Sequence, residues 1–329
     1  MASIRAGAVG RDVLAGGSMM ESGTTTRETG NSVATDIMSA DGVPPVRAPI
    51  GVYDSGVGGL SVLPAIRELL PADDLIYIAD AGHLPYGEKS PFYVVERAWR
   101  ISDYFLSRGV KAIAIPCNTA TAAAAAVLRD KHTDLPIIGI EPAVKPAARL
   151  TRSGVIGVLA TTGTLLSAKF QQLVRREAPG KQVLLKACPG WVDLVEQGAS
   201  TEDTRRIVFE PIDELLAQGA DVLVLGCTHF PFLVDVVRER VGPDFPVLET
   251  GLPFALELRR QLQAREPGAA AASSAAPLAG AGGTPLRNAS GAPGRIEMWT
   301  SGDPEVVQAR VDRLMPGLAP VRRLPEPYC

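Results

Sequence analysis

KAIAIPCNTAT, residues 111–121, and DVLVLGCTHFP, residues 221–231, decide the fold class. Each is an unbroken apolar run of strand length that ends in a cysteine with polar neighbours and then opens a helical segment. Ala-rich ATAAAAAVLRD follows the first, and Pro231 suits the first turn of a helix after the second. Strands apolar on both faces are covered on both faces, as in parallel sheets. The same type of run recurs as PIGVYD (49–54), LIYIAD (75–80), LPIIGI (135–140), GVIGVL (154–159), QVLLK (182–186), PVLE (246–249) and IEMWT (296–300). Amphipathic segments such as ERAWRISDYFLSRG (96–109) and TRRIVFEPIDELLAQG (204–219) lie between them. Strands alternating with helices define an α/β chain with parallel sheets.

The order repeats. Ile50-Gly51-Val52 opens a strand and a Gly-rich turn, and Cys117 follows 67 residues on; Ile156-Gly157-Val158 opens another, and Cys227 follows 71 residues on. In each copy a helix closing near a glycine, Gly109 or Gly219, leads into the cysteine-bearing strand. The sequence therefore predicts two similar doubly wound α/β domains, 48–144 with 256–329 and 145–255. Each would place one cysteine at the carboxyl end of a strand, where open α/β sheets bind ligands.

Two stretches stand apart. Residues 1–47, rich in Gly, Ser, Thr and Ala without apolar period, read as a disordered N-terminal extension, with Met19, Met20 and Met38 as alternative starts. Residues 265–294 read as a low-complexity insertion, in which Asn288-Ala289-Ser290 is an accidental glycosylation triplet. A net charge of −3 and a pI near 5.8 give no electrostatic reason to bind nucleic acid or an anionic membrane. No run is long enough to span a bilayer and the N-terminus lacks a signal-peptide core, so the expectation is a soluble, cytoplasmic protein. Four cysteines in 329 residues read as reduced thiols rather than a disulfide framework.

Cys117 and Cys227 carry the chemistry. A thiol at a strand-to-helix junction feels the positive end of the helix dipole, which favours the thiolate. One such cysteine is as well explained as a buried inert thiol; a matched pair, followed by Asn118-Thr119 and Thr228-His229, is not. Cys188 and Cys329 have neither a His neighbour nor a helix start and read as incidental. Asp54-Ser55 leads into Gly56-x-Gly58-Gly59, a turn suited to a small carboxylate ligand, or else holding an ordinary capping Asp. Ser61 breaks a dinucleotide fingerprint, and no phosphate loop occurs. Pro85-Tyr86-Gly87 is a loop after a strand; His83 and His132 read as surface residues; and Glu196, taken alone, is a solvated charge at a helix end. Cys-Thr-His without C-x-x-C or H-x-x-x-H spacing makes a poor metal site, so no metal is expected. A cysteine hydrolase with His229 as base would use one thiol and leave the other without a role.

DSGVGG (54–59), PYG (85–87), CNTAT (117–121), LVEQG (194–198) and GCTHFP (226–231), with TSGDPE (300–305) closing the series, resemble the motifs of bacterial glutamate racemase in order and spacing. The resemblance implies two α/β domains closing on glutamate, with Cys117 and Cys227 as the catalytic cysteines. It makes Asp54 and His229 their respective assistants and Glu196 a further active-site carboxylate. It places Asp54, Ser55, Tyr86, Gly87, Asn118, Thr119, Thr228 and His229 on the substrate. It further implies no cofactor, a homodimer, and D-glutamate supplied for peptidoglycan. His229 leans toward glutamate, since the related aspartate racemases usually carry Glu there. Phe230 in place of the usual Tyr, Gly190-Trp191 in place of Leu-Phe, the extension and the insertion depart from the pattern. The insertion bears on dimer geometry. The rivals are a related aspartate or other amino-acid racemase and a non-catalytic two-lobed amino-acid-binding protein.

Overall fold

The structure, a computed structural model, describes residues 48–265 and 293–329. The expected extension, and nearly all of the expected insertion, lie outside the described residues. All nine apolar runs form strands. β1 (Ile50–Asp54), β2 (Leu75–Ala79), β3 (Ala112–Ile115), β4 (Ile137–Gly139) and β9 (Ile296–Thr300) join a tenth strand, β10 (Val321–Arg323), in one sheet ordered β10-β9-β2-β1-β3-β4. β5 (Val155–Ala160), β6 (Gln182–Ala187), β7 (Val222–Leu225) and β8 (Val247–Leu248) make a second sheet ordered β6-β5-β7-β8. Every pairing is parallel.

Alternation along the strands sends side chains to two cores per sheet. Ile50 and Val52 pack with helices α1 (Leu63–Leu69), α10 (Gly251–Arg265) and α11 (Pro304–Leu314). Tyr53, Ile76 and Ile113 pack with α2 (Pro91–Ser107) and α3 (Asn118–Lys131) on the opposite face. The second sheet is covered likewise, by α4 (Val144–Leu150), α5 (Thr162–Leu166) and α6 (Ala168–Glu177) on one side. α7 (Trp191–Gln197), α8 (Thr201–Ala217) and α9 (Val234–Val241) cover the other. Both sheets are thus doubly wound. Phe254 and Ala255, which the sequence reading placed in the second domain, belong to the first core because α10 packs along α1.

The internal repeat has a packing cause. A Cβ on Gly51 would meet the Phe105 ring of α2, and one on Gly157 would meet Leu223 and Leu215 of α8. In both halves a strand glycine lets the helix before the cysteine strand lie close; full burial of a side chain like Phe105 stabilises by about 1.5–3 kcal/mol. These helices are capped alike, with Ser90 Oγ accepting from the Tyr93 amide and Ser200 Oγ from Asp203. Gly109 at φ +63° and Gly219 at φ +88° turn the chain into β3 and β7.

Candidate active site

In each sheet the chain runs from the central strand to one neighbour and then back to the other, so β1 and β5 are the switch points. β1 pairs with β3 at Ile50↔Ala112, and β5 with β7 at Ile156↔Val222. Carried onward, those registers set Cys117 level with Ser55 and Cys227 level with Thr161. The two strand ends converge on one cleft lined by Asp54, Ser55, Tyr86, Gly87, Cys117, Asn118, Thr119, Cys227, Thr228 and His229, with Pro85, Thr161 and Val192. Its free volume is about 20 Å³, room for a water molecule.

Around Cys117 the setting is acidic and buried. Its Sγ lies 3.9 Å from Ser55 Oγ and accepts the Ala120 amide at 3.5 Å at the start of α3. Burial, then the Asp54 carboxylate, push this thiol well above its usual pKa and outweigh that amide. Burial and Asp54 thus oppose the preference for thiolate that the start of α3 confers. Asp54 is itself raised by burial, against the opposing influence of His229, Cys117, Thr228 and Ser55. Its Oδ1 accepts the Ser55 amide at 2.6 Å and its Oδ2 the Thr228 hydroxyl at 3.0 Å.

The surroundings of Cys227 differ. After β7 the chain enters a turn and a short 3-10 segment, Phe230–Leu233, and α9 starts only at Val234, so no α-helix begins at this thiol. His229 takes that place, its Nδ1 3.7 Å from Sγ and its Nε2 2.8 Å from Glu196 Oε1. Burial alone would lower the His229 pKa, but its bonds to Cys227 and Glu196 and their charges raise it well above the ordinary value. Glu196 is 1% exposed, not the solvated helix-end charge its local sequence suggests. Burial opposes its charge, yet His229, the Val57 amide and Arg310 hold it below the usual carboxylate range. It stands behind His229 rather than in the cleft.

The Gly-rich turn therefore already holds a carboxylate, that of Glu196, through the Val57 amide at 2.9 Å. A Cβ on Gly56 would strike Glu196 and one on Gly58 the His229 ring, so these glycines exist for close lobe-to-lobe contact. Tyr86 lines the cleft while its hydroxyl is bonded to Asp80, which also pairs with Arg97 at 2.8 Å. Thr119 Oγ1 lies 3.1 Å from Thr161 Oγ1. The Asn118 amide is buried with neither Oδ1 nor Nδ2 bonded, which suits a group that meets a ligand. His83 and His132 are half-buried and outside the cleft, and Cys188 and Cys329 do not line it. Thr161 was missed from sequence, although it follows β5 directly, as Ser55 follows β1. Among the described residues no His, Cys, Asp or Glu group is arranged for a metal, and no helix is long and apolar enough to cross a membrane.

Fold and site define a two-lobed α/β protein with a duplicated cysteine half-site. The chain belongs to the Asp/Glu/hydantoin racemase family, whose model matches residues 50–252. It is 52% identical to the glutamate racemase of Ectopseudomonas mendocina over 221 residues, 67% of this chain and 84% of that one. It is 47% identical to that of Methylococcus capsulatus over 278 residues, 84% and 95% of the two chains. The crystal structure of Escherichia coli glutamate racemase in complex with L-glutamate and the activator UDP-MurNAc-Ala superposes with a TM-score of 0.67 at 30% identity, covering 84% of this chain and 98% of that one.

Proposed function

We propose that the chain is a glutamate racemase that moves the α-proton of glutamate between Cys227 and Cys117 without a cofactor. The observation that carries this reading is the convergence of both cysteines on one cleft from matching strand ends, each with its own ionisable neighbour. An α-carbon that inverts must lose a proton from one face and gain one on the other, which calls for a base and an acid on opposite sides. Cys117, buried and beside Asp54, with its thiol pKa raised, fits the acid for L-glutamate. Cys227, beside the His229 imidazolium, is the base: its thiolate takes the α-proton, and the electron pair left on carbon is quenched by the Cys117 proton. The roles exchange for D-glutamate. Asp54 assists Cys117 and His229 assists Cys227, with Glu196 fixing the imidazole.

Ser55, Asn118, Thr119 and Thr228 present donors and acceptors to the substrate's ammonium and carboxylates, while Tyr86 and Gly87 shape the wall. Closure strengthens these interactions by excluding water. The same reading makes the protein a cytoplasmic homodimer that supplies D-glutamate for peptidoglycan. Its substrate is supported by the glutamate racemases that resemble the chain along most of its length. The test is the circular dichroism of L-glutamate incubated with purified protein and no added cofactor. Decay of the signal to zero is expected, whereas an unchanged signal means a binding protein.

A further inference from the structure

The last helix of the first lobe reaches across to the second. Val307 and Val311 of α11 are buried in the first core, and Leu314 packs against both lobes' cores. Three residues apart on one face of α11 stand Arg310 and Arg313. Arg313 donates to the main chain of α7, to the Glu196 carbonyl at 2.9 Å and to that of Val195, carbonyls that a helix end leaves without partners. Arg310 instead takes the side chain: its Nη1 lies 2.7 Å from Glu196 Oε2. Both carboxylate oxygens are then partnered, since Oε1 receives His229 Nε2 and the Val57 amide. Two of those three donors, Val57 and Arg310, come from the first lobe, while Glu196 and His229 belong to the second.

We infer that Arg310 is a positioning residue for the Cys227 half of the site, acting through Glu196 on His229. With Oε2 occupied by the guanidinium, the carboxylate cannot rotate, and Oε1 keeps the Nε2–H of His229. That bond orients the ring so that Nδ1 faces the Cys227 sulfur, as a buried carboxylate orients the histidine of a hydrolytic triad. Without Arg310, Oε2 would be buried without a partner, and the carboxylate would turn away or take up a proton. Cys117 is served by Asp54 and Ser55, which Arg310 does not touch, so the dependence is one-sided. Because the donors come from both lobes, the linkage is complete only when the lobes are closed.

The inference rests on the two-thiol reading, and its test separates the two. Arg310→Met and Arg313→Ala are compared, the latter removing the main-chain hold and sparing the carboxylate. The chain has three histidines, so ¹⁵N-histidine labelling gives few ring signals, and His229 is assigned by its loss in His229→Gln. The expected result is a slowly exchanging Nε2–H of His229 in the parent and in Arg313→Ala, lost in Arg310→Met and kept in Arg310→Lys. In heavy water, adding Arg310→Met to Cys117→Ala should slow α-proton exchange of L-glutamate by roughly 10–100-fold, the range for outer partners that orient a functional imidazole. Added to Cys227→Ala, it should leave exchange of D-glutamate within about twofold. An unchanged His229 signal in Arg310→Met, or equal slowing of both enantiomers, overturns the inference. Arg310→Gln carries the same test should Arg310→Met not fold. Full racemisation by Cys227→Ala alone would instead overturn the two-thiol reading.

Discussion

The Thr228 hydroxyl donates to the Asp54 carboxylate at 3.0 Å, tying the neighbour of Cys227 to the assistant of Cys117. The two half-sites are therefore not independent copies. Any separation of the lobes would break this bond along with those that the first lobe makes to Glu196.

Asp54 is held at a raised pKa mainly by burial. A carboxyl raised on folding contributes stability that is fully present below its unfolded pKa and lost as pH rises through the folded value. Asp54→Asn keeps an oxygen to accept the Ser55 amide, meets Thr228 only with the hydroxyl turned to accept from Nδ2, and never charges. Its melting temperature should exceed the parent's at pH 8 by about 2–4 °C for each kcal/mol relieved, and the difference should widen from pH 4 to pH 8. Racemisation should fall at least about 100-fold as the acid–base assistant is lost. A temperature gap that narrows with rising pH would contradict the burial of a strained carboxylate.

Glu196 and His229 shift in opposite senses. Glu196, lowered from 4.5, stabilises the fold above that pH and loses the contribution as pH falls through its folded pKa; His229, raised above 6.5, contributes fully below that pH and loses it as pH rises through its folded value. Glu196→Gln should therefore cost roughly 3–5 kcal/mol, most between about pH 4.5 and 6.5, with the deficit shrinking on either side. Denaturant melts from pH 3 to pH 10 measure it. A deficit independent of pH would mean that the pair is not ionised.

Gly58 faces the His229 ring with no room for a methyl group. Gly58→Ala should leave the far-ultraviolet spectrum intact while lowering kcat/KM by about 100-fold, the effect of displacing a catalytic group by about 1 Å. Near-parental activity would show that His229 need not hold its place.

Much of this was legible before any coordinates. Runs such as KAIAIP and DVLVLG formed strands because they are apolar on both faces, and β10 escaped because Val321-Arg322-Arg323 is a short edge strand whose two arginines are exposed. The cleft could be assembled from motifs because strand ends meet at switch points. Local sequence misread Glu196: its partners His229, Val57 and Arg310 are remote in the chain, and no neighbour in LVEQG announces them. It set Cys227 at a strand-to-helix junction with Pro231 in the first turn, and that turn is the 3-10 segment Phe230–Leu233, with α9 following at Val234. The role of Arg310 was not readable at all, since it depends on how α11 lies across the second lobe.

The central claim is that each thiol serves one face of the substrate, and the most direct measurement is α-proton exchange in heavy water by single-thiol variants, followed by proton NMR of each enantiomer. Cys117→Ala should exchange the α-proton of L-glutamate only, and Cys227→Ala that of D-glutamate only, with racemisation in both lowered by several orders of magnitude. Reversed preferences would exchange the assignments of the two thiols. Racemisation at the parental rate in either variant would contradict the two-thiol account.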